Sequence, residues 1–249
     1  MRLCFVIHSL NAGGAERVLS QLANHFSDKK EHEVHLITLQ PEGAKSFYPV
    51  NSTITLHQLG LNQSDTMFGK VKKLFTLLFH LRKTIKKLDP KIVVSFVDEM
   101  NIAVLLSTIF LQKRIVISER IDPRHHSIGV INNILRRLLY PLSKKLVVQG
   151  QYIASYFPYM KNKIKIIPNA IQWQKNVNLT SVSKKILTVG RLNRQKDHTT
   201  PIKAFANLAS QYLDWTLEIY GEGPEKETLQ NLISSLSLEE KVVLKGAFS

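Results

Sequence analysis

The sequence predicts an α/β protein made of two Rossmann-like, doubly wound lobes, the second of them incomplete. Short runs rich in β-branched residues alternate with longer amphipathic runs, which is the pattern of parallel strands joined by helices. A polar stretch without periodicity, residues 172–183, interrupts this alternation. After it the pattern restarts but supplies only three strands, whereas a doubly wound sheet usually has about five or six.

The first lobe, residues 1–170, contains seven predicted strands and five predicted helices. The runs that predict strands are Leu3–His8, Glu33–Leu39, Thr53–His57, Lys91–Val97, Ile115–Ser118, Lys145–Val148 and Lys163–Ile167. The segments with helical periodicity are Ala15–Phe26, Val71–Lys87, Asn101–Phe110, Asn132–Leu142 and Tyr152–Tyr159. Such apolar strands predict a parallel sheet with helices on both faces.

The second lobe, residues 185–249, follows a predicted linker over residues 171–184. Its predicted elements are strand Lys185–Val189, helix His198–Tyr212, strand Thr216–Tyr220, helix Lys226–Ser235 and strand Lys241–Lys245. Because this is about half of a doubly wound sheet, the sequence predicts a partial lobe.

Composition indicates a globular protein of the cytoplasm. Apolar residues make up 44% and charged residues 21% of the 249. The single cysteine, Cys4, allows no disulfide within the chain, which suits a reducing compartment. The N-terminal apolar run ends at His8 without a small-residue cleavage site, and the longest uncharged apolar stretch, Asn101–Gln112, is too short to span a bilayer.

Positive charge is concentrated in residues 70–170. This part holds 19 Lys/Arg against 5 Asp/Glu, so it carries +14 of the formal net charge of +15. Such a surface can bind anionic lipid, a pyrophosphate-bearing substrate or nucleic acid, or it can serve solubility alone. Nucleic acid is disfavoured as a partner because the sequence has no RNP-like aromatic strand, KH-type clamp or zinc-finger spacing.

Residues 70–88 form a basic amphipathic segment within this region. Cations cluster toward both ends, and the apolar stripe consists of Leu74, Phe75, Leu78, Leu81, Ile85 and Leu88. The stripe either packs on the sheet or docks on the anionic inner face of the cytoplasmic membrane. The second alternative predicts peripheral membrane association.

Two loops of the first lobe carry candidate binding residues. Gly13 and Gly14 follow the first strand and let backbone amides approach a ligand; the alternative is a tight turn. This loop matches neither the dinucleotide nor the P-loop pattern, which disfavours nicotinamide cofactors and P-loop hydrolysis. Arg120 and Arg124 can bind an anion from the charged loop 118–126, which is otherwise a solvated loop. Its histidines lack helical metal spacing, so we expect no metal.

The strongest candidate site follows the first strand of the second lobe. After Gly190, Arg191 offers a fork for two phosphate oxygens and Lys196 adds a mobile charge, so both cations can converge on one pyrophosphate. The alternative is an exposed charged turn. The next such loop, with Gly221 and Gly223, suits either a nucleotide or a sharp turn.

Four segments together resemble retaining glycosyltransferase family 4, which has the GT-B fold. They are Gly13–Val18, Val147–Ala170, Ile186–Asp197 and Leu217–Pro224. The first is similar to bacterial members that extend polysaccharide, O-antigen or lipid-linked oligosaccharide chains, and the third matches the family's donor-phosphate motif closely. The family's Pro-Asn-Gly reads Pro168-Asn169-Ala170 here. The resemblance covers essentially the whole chain.

The resemblance implies an enzyme that moves a hexose or N-acetylhexosamine, with retention, from a nucleotide-diphosphate sugar to a glycan or lipid-linked acceptor in polysaccharide, capsule or lipopolysaccharide synthesis. The donor, expected to be a UDP-sugar, would lie between the lobes without a metal or other cofactor. The implied roles are catalysis for Arg191, Lys196 and Glu119, donor contact for Gly13, Gly14, Gly190, Gly221 and Gly223, and acceptor contact for Arg120 and Arg124. Glu119 falls near the place of a catalytic-region histidine in many relatives.

One part of the family pattern is not found. The family carries two glutamates separated by seven residues on a later loop and helix of the second lobe, and the sequence reaches Ser249 without them. Glu218 and Glu225 lie on an earlier strand and loop and are not that pair. We therefore expect a chain truncated in its C-terminal lobe, and the alternative to an active transferase is a non-catalytic remnant. A nucleotide-sugar epimerase is disfavoured by the Gly-Arg…Gln-Lys form.

Overall fold

The computed structural model describes residues 1–61, 67–170 and 183–247. Contacts divide the chain into two compact units, unit 1 (Met1–Gln172) and unit 2 (Trp173–Ser249). The predicted linker, residues 171–184, lies outside the described residues except for its last two positions. Both units are parallel α/β structures, as the sequence predicts.

Unit 1 contains a seven-stranded parallel sheet. Its strands are β1 (Arg2–Val6), β2 (Glu33–Thr38), β3 (Thr55–Gln58), β4 (Ile92–Phe96), β5 (Arg114–Ser118), β6 (Lys145–Val148) and β7 (Ile164–Ile166). The order β3-β2-β1-β4-β5-β6-β7 reverses between β1 and β4, where Phe5 lies between Leu36 and Val94. Every predicted strand of the first lobe is confirmed. Sheets of this kind bind ligands at the carboxyl ends of the strands, beside the reversal.

Five described α-helices connect these strands: α1 (Gly14–Ser27), α2 (Met67–Leu88), α3 (Asp98–Thr108), α4 (Val130–Leu139) and α5 (Gln151–Ala154). Helices α2 to α5 and the turns beside them cover one face of the sheet, where Leu81, Ile117 and Leu146 share a core. Helix α1 covers part of the other face through Leu19 and Ala23. No helix in the described ranges is long and apolar enough to cross a membrane.

The face that α1 covers stays partly open over the later strands. Val94, Val116 and Val147 of β4, β5 and β6 line an apolar groove of about 500 Å³ together with Val18 and Leu22 of α1. In the described residues, the prediction of helices on both faces therefore holds only near β1, β2 and the adjoining part of β4. The groove valines are as apolar as core residues, so the sequence pattern alone could not reveal the opening.

The described part of unit 2 is a three-stranded parallel sheet with helices on one face. Its elements are β8 (Lys185–Val189), α6 (Thr199–Ala206), β9 (Thr216–Tyr220), α7 (Lys226–Ser235) and β10 (Val242–Gly246), with the strands ordered β10-β9-β8. Phe205 of α6 and Ile233 of α7 pack against Ile219 of β9 in one core. Helix α6 is shorter than predicted because turns replace it after Ala206, as in the hydrogen bond from Leu208 N to Phe205 O (2.9 Å).

Candidate active site

The loop between β1 and α1 leaves room for a ligand beside the strand-order reversal. The Gln40 side chain fixes this loop by donating to Asn11 Oδ1 (3.1 Å) and accepting from a loop amide (2.8 Å). Gly14 faces open space, since a Cβ placed there would have no atom within 4 Å. Gly13 is extended, with a φ of −171°, and the flexible Glu16 carboxylate folds over it. Neither glycine is required by local packing against rigid atoms.

Arg120 and Asn169 meet at the carboxyl ends of the strands of unit 1. Arg120 Nη1 donates to Asn169 Oδ1 (2.8 Å), and the guanidinium lies 4.4 Å from the centre of the Phe96 ring. Gln149 Nε2 lies 3.5 Å from the same Asn169 oxygen. Arg120 Nε is buried without a hydrogen-bond partner in the described residues, and burial lowers the pKa of Arg120 to about 10. The structure thus joins two motifs that were separate in the sequence.

The Arg124 guanidinium, at the surface of unit 1, forms its hydrogen bonds within the protein. Nη1 donates to Tyr152 O (2.9 Å) and Nη2 to Ser155 Oγ (2.9 Å), and the group lies 4.4 Å from the centre of the Tyr152 ring. Asp122 lies 3.6 Å from Nη1. These contacts tie the loop after β5 to the end of α5. Arg124 is therefore a structural anchor of this loop, and its predicted acceptor contact gains no support from the geometry.

Glu119 points into the core of unit 1. Its carboxylate accepts a hydrogen bond from the Tyr140 hydroxyl and lies 3.9 Å from Arg136 Nη1, and all three side chains are buried. Burial raises the pKa of Glu119 to about 7; the charge of Asp98 adds to this, whereas the Tyr140 hydrogen bond and Arg136 oppose it. These contacts hold the end of β5 against the core of unit 1. The predicted catalytic role of Glu119 gains no support from this geometry and stays a prediction.

Replacing Glu119 with glutamine is expected to change the pH dependence of stability. A pKa raised from 4.5 to about 7 means that the folded protein holds an extra proton between these values. The stabilisation of the folded protein that results from this raised pKa is therefore complete below about pH 4.5. It is lost as the pH rises through about 7. In urea unfolding followed by far-UV circular dichroism, the wild type should lose more stability than Glu119→Gln between about pH 5 and about pH 8. Exposed Glu99→Gln is the control, and parallel wild-type and Glu119→Gln curves would contradict the assignment.

The start of α3 contributes a polar pair that the sequence did not predict. Asp98 is buried; its Oδ1 accepts from the Glu99 amide (2.9 Å), and its Oδ2 lies 3.5 Å from His126 Nε2. The preceding Val97 has a φ of +74°, which is rare for a β-branched residue and typical of strain held at functional sites. The sequence did contain a signal for this site, because the acidic residue Asp98 closely follows the buried strand β4. No group of three or more His, Cys, Asp or Glu in the described ranges is placed to hold a metal ion.

Two loops of unit 2 and the end of β10 are joined by backbone hydrogen bonds at the carboxyl edge of the sheet. The Gly190 amide donates to Tyr220 O (2.9 Å), and the Gly221 amide donates to Gly246 O (2.7 Å). A third bond runs from Leu192 N to Glu222 O (3.0 Å). The loop that begins at Gly190 is therefore fixed by its neighbours on the sheet edge.

Gly221 and Gly223 are required by the close approach of these loops. A Cβ at Gly221, whose φ is +155°, would lie 1.9 Å from Gly190 O, and a Cβ at Gly223 would lie 2.3 Å from Leu192 O. Backbone atoms cannot yield to such overlaps as a flexible side chain can. Packing alone accounts for both glycines, and their contact with a donor stays a prediction.

Arg191 and Lys196 are exposed at this edge, and neither side chain forms an ion pair with the described residues. The loop that carries them is well supported. Asn193 Oδ1 accepts from the Lys196 amide (3.2 Å), and Nε2 of the buried His198 lies 3.2 Å from Gly190 O. Two cations on a preorganised loop can bind a diphosphate without first breaking internal contacts.

Two parallel α/β units, with a cation-bearing loop at the carboxyl edge of the second, are the architecture of the GT-B fold. Solved structures agree on the fold. HepE of Anabaena, in complex with UDP and glucose, aligns with a TM-score of 0.68 over 99% of this chain and 69% of its own, at 15% identity. Sucrose-phosphate synthase of Thermosynechococcus elongatus aligns with a TM-score of 0.78 over 100% of this chain and 71% of its own, at 10% identity.

The chain belongs to glycosyltransferase family 4. Residues 12–174 match the model described as Glycosyltransferase Family 4, and residues 169–249 match Glycosyl transferases group 1. Among the similar proteins are two N-acetylgalactosaminyltransferases of Campylobacter jejuni that act on glycans of undecaprenol diphosphate. One is 30% identical over 243 residues (96% of this chain, 66% of the relative), the other 32% identical over 261 (98% and 69%). The chain spans about two thirds of the length of these relatives.

Proposed function

We propose that the protein transfers a hexose or N-acetylhexosamine, with retention, from a nucleotide-diphosphate sugar to a lipid-linked or glycan acceptor in bacterial surface polysaccharide synthesis. The observation that carries this proposal is the loop with Arg191 and Lys196, which presents two exposed cations on a fixed backbone. Negative charge on the diphosphate rises as the sugar leaves, and preorganised cations stabilise that charge.

In the proposed reaction, the bond between the anomeric carbon and the diphosphate oxygen breaks, and the acceptor hydroxyl oxygen bonds to that carbon. The electron pair of the broken bond stays on the diphosphate, which Arg191 and Lys196 hold. The proton of the acceptor hydroxyl passes to the departing diphosphate. Protein cations meet the charge of the leaving group, so the proposal includes no metal or other cofactor.

UDP is the proposed nucleotide of the donor. HepE, which shares the fold, has been solved in complex with UDP and with UDP-glucose. In this chain the open start of α1 at Gly14 would approach the donor through backbone amides, which favour anions. A bound anion would displace the flexible Glu16 carboxylate from this place.

An undecaprenyl diphosphate-linked glycan is the proposed acceptor. The two Campylobacter relatives act on acceptors of this kind according to their names. Arg120 fits such an acceptor because it has a buried donor without a partner in the described residues and is oriented by Asn169. The excess of 19 Lys/Arg over 5 Asp/Glu in residues 70–170 supports the same proposal.

Only part of the apolar stripe of helix α2 is exposed and therefore able to contact a membrane. The members that belong to or pack against the core of unit 1 are Leu78, Leu81, Ile85 and Leu88. From residue 72 onward, where its side chains are described, the exposed apolar side chains of the helix are Leu74, Phe75 and Phe79. The C-terminal half of α2 therefore packs on the fold, and we propose that Phe75 and Phe79 contact anionic lipid.

A panel of UDP-sugars with synthetic undecaprenyl diphosphate-linked acceptors tests the proposed function. We expect one UDP-hexose or UDP-N-acetylhexosamine to give a new glycoside whose anomeric configuration, read by NMR, matches the donor. An inverted product would contradict retention. Binding of UDP without transfer to any acceptor would favour the non-catalytic alternative, and failure to bind any nucleotide sugar would contradict the donor assignment.

A further inference from the structure

Helix α4 buries Arg136 together with Leu135 and Leu139 and exposes a separate row of aliphatic side chains. Arg136 is only 2% exposed, and its Nη2 donates to Asn133 Oδ1 (2.5 Å) and Tyr156 Oη (3.0 Å). The exposed aliphatic side chains of the helix are Val130 (77%), Ile131 (75%), Ile134 (55%) and Leu138 (66%). The core of unit 1 therefore covers only part of the apolar surface of this helix, and an exposed aliphatic patch of this kind marks an interaction surface.

The exposed aliphatic residues form one continuous stripe. Val130, Ile134 and Leu138 follow each other at intervals of four, and Ile131 precedes Leu138 by seven, so all four share a side of the helix. Leu142, exposed in the turn after α4, extends the stripe. From residue 130 to residue 142 the stripe is roughly 18 Å long.

The surroundings of this stripe are basic. Residues 123–170 contain eight Lys/Arg and no Asp or Glu. Arg137 and Lys144 are exposed next to the stripe, and the Arg137 guanidinium lies 5.8 Å from the centre of the Tyr159 ring. Aliphatic side chains beside cations and tyrosine match the surface of an anionic bilayer, with its acyl chains, interfacial layer and phosphates. This charge complementarity favours lipid over a protein partner.

We propose that α4 docks on an anionic phospholipid membrane through Val130, Ile131, Ile134, Leu138 and Leu142. The inference rests on the proposed function for its purpose, because a lipid-linked acceptor lies in a membrane. The docking itself requires neither donor nor transfer.

Sedimentation with vesicles tests the docking. The wild type should bind vesicles of phosphatidylcholine and phosphatidylglycerol much more strongly than vesicles of phosphatidylcholine alone. Ile134→Asp/Leu138→Asp should lower binding to the anionic vesicles by roughly tenfold or more, because two aliphatic side chains no longer enter the bilayer and two acids meet its negative surface. Phe47→Asp/Thr53→Asp adds the same charge at exposed positions between β2 and β3 and should bind like the wild type.

All four substituted positions are exposed, so circular dichroism and thermal unfolding should stay at wild-type values. Equal vesicle binding by the α4 variant and the control would overturn the proposal. Loss of binding in Phe75→Asp/Phe79→Asp alone would assign docking to α2 and also overturn it, as would a wild-type dimer that the α4 variant abolishes without any vesicle binding. Transfer to a short, water-soluble acceptor should be unchanged in the α4 variant, so failed docking and failed transfer are separate results.

Discussion

Replacing Arg191 or Lys196 with alanine is expected to lower the rate of glycosyl transfer by roughly 10²–10³-fold without unfolding the protein. Both side chains are exposed and form no ion pair with the described residues, so their removal deletes no contact that holds unit 2. The loss falls on the transition state, because the charge of the diphosphate rises only as its bond to the sugar breaks. Steady-state kinetics should show a reduced kcat, and thermal unfolding should be unchanged.

Arg194→Ala is the matched control for these variants. Arg194 lies in the same loop, its side chain is 97% exposed, and it forms a surface ion pair with Glu225 (3.5 Å). Such a pair contributes little to stability, and the proposal gives Arg194 no contact with the diphosphate. The control should therefore turn over at nearly the wild-type rate. Wild-type turnover in both Arg191→Ala and Lys196→Ala would contradict the proposed contact of these side chains with the diphosphate. An equal loss of turnover in Arg194→Ala would show that the loss comes from removing any positive charge from this loop.

The strands were predictable because their signal is local, whereas the ends of α5 and α6 were not. The helix predicted over Tyr152–Tyr159 ends at Ala154. Runs of β-branched residues bounded by turn residues gave every strand of both units. The predicted extension of α6 to Tyr212 followed apolar spacing at Leu208 and Tyr212. These side chains line a cavity with Phe205 and Trp215, but the backbone between them forms turns. Apolar spacing reports packing, and packing does not require an unbroken helix.

The direction of Glu119 is explained by the pleat of β5, which the predicted role did not take into account. Ile115 and Ile117 face the core that α2 and α3 cover, and Glu119 continues this alternation one step beyond the strand. Val116 and Arg120 have the opposite parity and line the groove on the other face. If the inward and outward alternation of β5 is extended past Ser118, it predicts that Glu119 faces the core and that Arg120 faces the groove.

The outward stripe of α4 could not be predicted in the same way. Helical periodicity shows that Ile134 and Leu138 share a side, but it does not show which side meets the protein. That depends on partners far along the chain. Arg136 is drawn inward by the Tyr156 hydroxyl and approaches Glu119 at 3.9 Å. The core-facing side of this helix therefore carries Arg136 beside Leu135 and Leu139, and the remaining aliphatic residues face outward.

Gly221→Ala is expected to destabilise unit 2 by roughly 2–6 kcal/mol, because two penalties add. A φ of +155° strains any residue with a Cβ, and that Cβ would lie 1.9 Å from the carbonyl oxygen of Gly190. The obstacle is backbone held by the hydrogen bond from Gly190 N to Tyr220 O, so it cannot move away cheaply. Trp215 packs against the core of unit 2, so urea unfolding followed by tryptophan fluorescence reports on this unit.

Substitutions at Gly223 and Gly246 separate the cost of the Cβ clash from the cost of a positive φ. Gly223→Ala introduces a clash with Leu192 O at 2.3 Å without a positive φ. Gly246→Ala has a φ of +78°, and among the described residues its Cβ meets only the flexible Glu222 carboxylate, at 3.1 Å. We expect the loss of stability to fall in the order Gly221, Gly223, Gly246. If donor contact instead determined these positions, Gly221→Ala would weaken UDP binding while leaving the unfolding midpoint at its wild-type value. That result would indicate that Gly221 contacts the donor and would contradict the packing explanation.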